Sequence, residues 1–435
     1  MNKSTDTAAS IVPTLDALSL PTVTDPEGTL LQRLGKKLFL RALGQVRHGE
    51  VTLLVPATGE RHTFGRLTPE CDLRVTLEVL HPQTFADAAF GGTVGGGEAY
   101  MRGLWRTDDL TALVRLFVIN RDAMESVEGA AAVAAEPLRR VLHWLNRNSA
   151  AGSRRNIAAH YDLGNDLFAL FLDETMAYSC AVFEREDATL QEAQVAKFER
   201  ICRKLRLGPN DHLLEIGTGW GGLALHAAQR YGCRVTTTTI SREQHDWAQQ
   251  KFAAAGLLQS GQVTLLLEDY RDLTGRYDKL VSVEMIEAVG HQYLDTYTAR
   301  CSSLLEPDGA MLLQAITIQD QLYEQALKSV DFIQRFIFPG SFIPSVSAIT
   351  ESVRRSTDMK VFHLEDIGPH YATTLLRWRE NFMRRLADVR ALGYPESFIR
   401  MWEFYLCYCE GGFRERQIGD VQMLLTKPRC RLPAP

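Results

Sequence analysis

Between His212 and Gly222 the sequence HLLEIGTGWGG sets an apolar run directly against Gly217, Gly219, Gly221 and Gly222. A strand ending in such a turn lets a ligand approach the backbone at the carboxyl edge of a parallel sheet. The order is GxGxG rather than the GxGxxG of dinucleotide sites, and Glu215 stands before the first glycine. A carboxylate there repels a pyrophosphate and suits a cationic or amine-bearing ligand. S-adenosylmethionine, with its sulfonium and amino groups, fits. Glu215, Gly217, Thr218, Gly219, Trp220 and Gly221 are therefore candidate cofactor contacts. Adenosine recognition then needs polar groups after the next two strands. TTTISREQ supplies Thr239, Ser241 and Gln244, and LLLEDYRD supplies Asp269, Tyr270 and Arg271. An Asp can accept from an adenine amino group, and an aromatic ring can stack on the base.

The elements that must position these residues follow from the pattern around them. From Gln194 onward, short apolar strands alternate with amphipathic helices: HLLEIGTGWGG, LALHAAQRY, CRVTTTTIS, REQHDWAQQKFAAAG, QVTLLLEDY. That alternation predicts an α/β, Rossmann-like fold with a mostly parallel sheet covered on both faces. YDKLVSVEMIEAVG and GAMLLQAITI add two buried strands, and a helical cover is expected around 319–375. Upstream, residues 27–137 read as a small α+β accessory domain. It has a helical LLQRLGKKLFLRAL, the strands VTLLV and LRVTLEVL, and a glycine-dense loop, GGTVGGGEAYMRG. Residues 1–26, rich in Ser, Thr, Pro and Ala, are expected to form a flexible tail. Residues 138–157 form a basic linker with Arg139, Arg140, Arg147, Arg154 and Arg155 and no acidic residue. It reads as a solvated helix or as an anchor on an anionic surface with Trp144 at the interface.

The chain has 435 residues, 48 Lys+Arg against 53 Asp+Glu, a net charge of -5 and 45% hydrophobic residues. This is the composition of a soluble globular protein, and it excludes disordered and collagenous classes. No run approaches the ~18 apolar residues of a spanning helix. The first residues lack a signal-peptide pattern, so a cytoplasmic location is expected. The eight cysteines include no CxxC pair, so reduced thiols and no metal site are expected. The mild acidity argues against a nucleic-acid partner.

At this point a resemblance becomes visible. The segments HYDLGNDLFALFLDETMAYSCAVF, LEIGTGWGGLALHAA, TISREQ, LEDYRDL, SVEMIEAVGHQYL, FIFPGSFIPS, YATTLLRW and CEGGFRER occur in order over about residues 158–425. Together they resemble the cyclopropane-fatty-acyl-phospholipid synthases, relatives of the mycolic acid cyclopropane synthases, and GEAYMRGLW echoes that family's amino-terminal domain. The resemblance implies a class I S-adenosylmethionine methyltransferase domain over 158–435. It implies delivery of a methyl carbon to a cis double bond in a membrane phospholipid, with proton loss closing a cyclopropane. By the same resemblance Tyr178 and Ser179 contact the cofactor, and Cys180, Glu287, Tyr371 and Cys409 belong to the reaction site. A bound bicarbonate is implied as the proton acceptor, held by the Cys, the Glu, a His and the Tyr. Gln314 stands where that His is expected. An amide can hydrogen-bond an anion but cannot relay a proton. The product is thereby left open between a ring, a methyl branch and a methylene.

The chemistry demands such groups in any case. An alkene is a poor nucleophile, so the site must exclude water and align the methyl with the π bond. The carbocation that follows needs an electron-rich wall and then a base. Glu287 can supply charge, and Tyr371 a hydroxyl or a π face. Cys180 and Cys409 are expected to line the site without attacking, since the reaction needs no covalent enzyme intermediate. His291 reads as a surface or capping residue. Reaching a lipid double bond requires peripheral docking on the inner membrane surface, for which LLRWRENFMRRLADVRALG and 138–156 are candidates. The resemblance implies that the accessory domain assists lipid capture or couples partner subunits, as in a homodimer. Two rivals stand beside this reading: an N-methyltransferase of a soluble amine, and a non-catalytic protein that binds lipid and cofactor.

Overall fold

The computed structural model describes residues 28–121 and 163–433; the expected tail and basic linker lie outside the described residues. The chain divides into two compact units, each assembled from separate stretches. The first takes residues up to 145, then 328–339 and 382–417; the second takes 146–327, 340–381 and 418–435. Two stretches of the region read from sequence as one methyltransferase domain thus group with the amino-terminal part.

The first unit opens with α1 (Leu30–Leu43), whose capping box joins Thr29 and Gln32. A sheet in the order β2-β1-β3-β4 follows, from β1 (Gly49–Val55), β2 (Glu60–Arg66), β3 (Arg74–Val79) and β4 (Trp105–Thr107). The glycine-dense segment is not a loop. It forms the second half of α2 (Gln83–Met101), interrupted only at Gly92 (φ 54, ψ -140). Packing explains one of its glycines: a Cβ on Gly97 would sit 2.4 Å from the Phe332 ring. α3 (Leu110–Ile119) is capped by Asp109.

In the second unit, α4 (Asn165–Phe171) leads to α5 (Leu190–Leu205), which starts at a Thr189/Glu192 capping box. The doubly wound part then runs β5 (His212–Ile216), α6 (Gly222–Tyr231), β6 (Arg234–Thr238), α7 (Arg242–Ala254), β7 (Val263–Leu266), β8 (Tyr277–Val283), α8 (Leu294–Ser303) and β9 (Leu305–Ile318). After α9 (Asp320–Ala326) and α10 (Val346–Ser356) come β10 (Lys360–Asp366), α11 (Gly368–Arg384) and β11 (Ile418–Thr426). The sheet order is β10-β11-β9-β8-β5-β6-β7. β9, β8, β5, β6 and β7 are parallel, while at one edge β11 pairs antiparallel with both β9 and β10. Neighbouring residues alternate between two cores, as a strand with period two requires. Leu214, Leu280, Leu313 and Met423 face one layer. Leu213, Val281, Leu312 and Leu424 face the other, with Phe198, Ile201 and Leu205 of α5. Burial on both faces is why these strands read as continuous apolar runs. The order in which strands are added reverses around β5, with β6 on one side and β8 on the other. That switch point opens a crevice at the carboxyl ends of the strands. The last helices, α12 (Leu386–Ala391) and α13 (Glu396–Arg414), belong to the first unit.

Candidate active site

The glycine turn after β5 adopts the backbone its sequence calls for, with φ of 102 at Gly217, 51 at Gly219 and 82 at Gly221. A Cβ on Gly219 would meet nothing within 4 Å, and one on Gly217 only the Met285 side chain at 3.5 Å. On Gly221 it would strike the Phe252 ring at 2.7 Å. The first two glycines therefore border open space at the crevice, and the third serves packing. This cradle fits an adenosyl cofactor lying close to the main chain.

The polar groups around it are tied together. Thr237 donates to Glu215 Oε2 at 2.5 Å, and its hydroxyl also pairs with Thr218 at 2.7 Å, tethering the turn to β6. Burial pushes the Glu215 carboxyl up to about 8, so it holds its proton at neutral pH. Trp220 donates to Asn165 Oδ1 at 2.6 Å and packs 4.9 Å from Phe168. After β6, Thr239 donates to Gln244 Oε1 at 2.9 Å, and Ser241 caps α7. After β7, Asp269 accepts both forks of Arg271, at 2.8 and 2.6 Å. The Arg271 guanidinium in turn lies 5.6 Å from the Tyr270 ring.

The centre of the neighbouring polar cluster is a carboxylate that sequence reasoning passed over. Glu284 follows β8 with φ 48, a left-handed conformation unfavourable for a residue with a Cβ. Its Oε1 accepts from the Cys180 backbone N–H at 2.8 Å and from Gln314 Nε2 at 2.8 Å. Its Oε2 accepts from the Tyr371 hydroxyl at 2.6 Å. Three of the residues expected in the site thus converge on one side chain. Asp420 of β11 lies beside it, its Oδ2 3.3 Å from Gln314 Nε2. Burial, then the neighbouring Glu284 charge, push Asp420 far above the usual carboxylate range. Glu287, on the 3-10 turn Ile286–Ala288, accepts from the Ile316 backbone N–H at 2.6 Å. Its Oε2 is buried without a hydrogen-bond partner. Burial and the Glu284 charge raise Glu287 to about 8. Glu284 is thus flanked by two carboxyls, Glu287 and Asp420, whose burial favours the protonated form.

Behind the YSCA segment, Gln194 Nε2 holds the Ser179 carbonyl at 2.9 Å, and buried Lys197 donates to Ser179 Oγ at 2.6 Å. Gln194 and Lys197 stand one turn apart on α5, so a single helix face positions the loop. Cys180 Sγ lies 3.2 Å from the Ala181 carbonyl, and burial beside Asp420 and Glu284 drives its thiol well up. A thiol so placed is not a thiolate nucleophile. Tyr178 sits among Phe168 at 5.1 Å, Trp378 at 5.1 Å and Phe171 at 6.2 Å, and Tyr371 meets Trp378 edge-on at 6.1 Å. These rings form a π-rich wall, suited to developing positive charge. Cys409 belongs to the first unit, where its neighbours include Asp331 and Cys407. His291 is surface-exposed on a 3-10 turn. Among the described residues no cluster of His, Cys, Asp and Glu could hold a metal ion.

A parallel sheet whose strand order reverses at β5, with a glycine cradle at its carboxyl edge and a buried acid cluster next to it, defines a Rossmann-like S-adenosylmethionine methyltransferase. The model of the family "Mycolic acid cyclopropane synthetase" matches residues 148–423, and the chain belongs to that family. It is 40% identical over 386 residues to tuberculostearic acid methyltransferase UfaA1 of Mycobacterium tuberculosis, covering 84% of this chain and 87% of that one. It is 37% identical over 361 residues to cyclopropane-fatty-acyl-phospholipid synthase of Escherichia coli, covering 81% and 87%. The crystal structure of mycolic acid cyclopropane synthase CmaA1 complexed with SAH and CTAB superposes with a TM-score of 0.59 at 35% identity, over 63% of this chain and 98% of that one. The chain is accordingly an S-adenosylmethionine-dependent C-methyltransferase of the cyclopropane synthase type.

The bicarbonate implied by the resemblance does not fit the residues present. The Cys180 N–H, Gln314 amide and Tyr371 hydroxyl that would hold it are turned onto Glu284, and the Ile316 N–H is turned onto Glu287. A second anion among three carboxyl groups would lack compensating donors.

Proposed function

We propose that this enzyme alkylates the cis double bond of an unsaturated fatty acyl chain carried by a membrane phospholipid, forming a cyclopropane fatty acid. S-adenosylmethionine supplies the electrophilic methyl carbon. The observation that carries the reading is the convergence of Tyr371, Cys180 and Gln314 on Glu284 beside the glycine cradle. Glu284 stabilises the carbocation and accepts its proton. Tyr371 and Gln314 hold the carboxylate in place, and the rings of Tyr178, Trp378 and Phe168 exclude water. The phospholipid substrate is supported by the Escherichia coli relative, which is named for it.

A second reading is a methyl-branched or methylene product. The Gln314–Glu284 pair favours it, because it departs from the His and the exchangeable ion implied for ring formation. The 40% identical relative is named a methyltransferase. The outcomes differ in how the cation resolves: loss of a proton from the transferred methyl closes a ring, a hydride shift onto the cationic carbon followed by that same loss gives a methylene, and loss of a proton from a chain carbon gives a methyl-branched alkene.

Access to such a substrate requires docking on a bilayer. No helix among the described residues is long and apolar enough to cross one. The arginines of 375–393 support docking weakly, since Arg377, Arg385 and Arg390 are paired with Glu380, Asp388 and Glu396. α1 supports it better. Leu30, Leu31 and Leu34 are 86%, 56% and 48% exposed, and the helix carries Arg33, Lys37 and Arg41, besides a Lys36 paired with Glu60, with no acidic residue. An anionic phospholipid surface matches both features.

The deciding experiment incubates the pure protein with labelled S-adenosylmethionine and vesicles of unsaturated phospholipid, then analyses the acyl esters by mass spectrometry. One added carbon is expected, with the ring and methylene isomers separated by fragmentation. No added carbon refutes the lipid reading.

A further inference from the structure

Gln314, Gln422 and Glu365 form a single polar rung across three strands of an otherwise apolar sheet. Gln422 of β11 stands opposite Gln314 of β9 in the ladder, and Glu365 of β10 stands opposite Gln422. At the inner end, β8 ends beside Gln314, and the Glu284 backbone N–H donates to the Gln314 carbonyl at 2.8 Å. At the outer end, Lys204 of α5 reaches over the sheet and donates to Gln422 Oε1 at 2.8 Å and to Glu365 Oε2 at 2.5 Å. Gln314 and Gln422 are fully buried and Lys204 nearly so. Burying two amides and a lysine is costly unless every group is satisfied in one consistent pattern.

That pattern has a direction. A lysine paired with a carboxylate has only N–H to give, so Gln422 must turn its carbonyl oxygen toward Lys204. The Gln422 amide then points the other way and donates to Gln314 Oε1 at 3.0 Å. With its oxygen engaged, Gln314 must present its NH₂ to Glu284 Oε1, at 2.8 Å. An amide can present either end, and here the choice is made at Lys204.

We propose that Lys204 and Gln422 are positioning residues that lock Gln314 as a hydrogen-bond donor to Glu284, so that the catalytic carboxylate is oriented from the far side of the sheet. The inference rests on the assignment of Glu284 as the catalytic carboxylate. Gln422→Glu preserves size and the Lys204 contact but removes the donor to Gln314. The Gln314 oxygen then faces a carboxylate, and its amide is driven to turn an oxygen toward Glu284. Lys204→Met removes the anchor and leaves both amides free to invert, while Lys204→Arg keeps a donor-only partner.

The test measures kcat and KM for S-adenosylmethionine on unsaturated phospholipid vesicles, with melting temperatures to confirm folding. Gln422→Glu is expected to lower kcat about tenfold or more while KM stays within about twofold of the parent. Lys204→Met is expected to lie between, with Lys204→Arg restoring most of the activity. A folded Gln422→Glu variant with parental kcat overturns the relay. So does a Lys204→Arg variant no more active than Lys204→Met. Glu284→Gln measured alongside separates the two ideas: its full activity refutes the role of Glu284 itself, whereas an inactive Glu284→Gln beside an unaffected Gln422→Glu refutes the relay alone.

Discussion

Tyr371 donates its hydroxyl to Glu284 at 2.6 Å, joining a residue of α11 to one held in a left-handed conformation at the end of β8. The phenol fixes one carboxylate oxygen while Cys180 and Gln314 fix the other. Removing that single bond in Tyr371→Phe should lower kcat about tenfold, in line with a charge-assisted bond of roughly 1.5–3 kcal/mol. Glu284→Gln, which can neither accept a proton nor carry charge, should lower it by about a hundredfold or more. Cofactor binding, measured by calorimetry, should change little in either variant.

Glu287 offers a pH signature. Its carboxyl, raised to about 8, is protonated at neutral pH, and ionisation above that value places a second charge beside Glu284. Activity should therefore be steady below pH 8 and decline as pH rises through it. Glu287→Gln, which cannot ionise, should lose that alkaline decline. A variant profile that still falls at the same pH assigns the limb to another group.

The glycine turn separates binding from folding. Gly219→Ala places a methyl in the open cradle at φ 51. It should cost only about 1–2 kcal/mol of stability while raising KM for S-adenosylmethionine by about tenfold or more. Gly221→Ala collides with Phe252 at 2.7 Å and should cost about 2–4 kcal/mol, through backbone strain and overpacking together. Thermal melts beside KM measurements distinguish the two patterns.

Replacing Leu30, Leu31 and Leu34 with Asp removes apolar contact and cationic character together. Sedimentation with anionic phospholipid vesicles should fall by about tenfold or more, while the melting temperature shifts little, because these side chains are exposed. Unchanged sedimentation would move the docking surface elsewhere.

The sheet and cradle were legible because their signals are local. HLLEIGTGWGG carries strand, turn and helix start within a few residues, and the structure keeps all three. The antiparallel edge was less visible, since Asp420 and Gln422 interrupt DVQMLLT without any turn chemistry to explain them. In retrospect, two polar residues at alternate positions of an apolar strand mark one face turned to a polar partner. Glu284 was missed for a related reason. SVEMIE holds two acids three residues apart, and only long-range contacts, 87 residues on to Tyr371 and 104 back to Cys180, single out the first. The helix in place of the GGTVGGGEAYMRG loop reflects tertiary packing overriding glycine's poor helical propensity.

The interleaving of the two units bears on how this protein can be cut. Within the first unit, α13 buries Glu410 against Thr111 of α3, with Tyr100 of α2 bonded to Glu403 and packed on Phe404. A fragment beginning after the basic segment would keep α13 and lose α2 and α3. It would leave Phe404 and Glu410 without the surfaces that cover them. No single point in the sequence separates the two units, so a cut after the basic segment would divide the first of them.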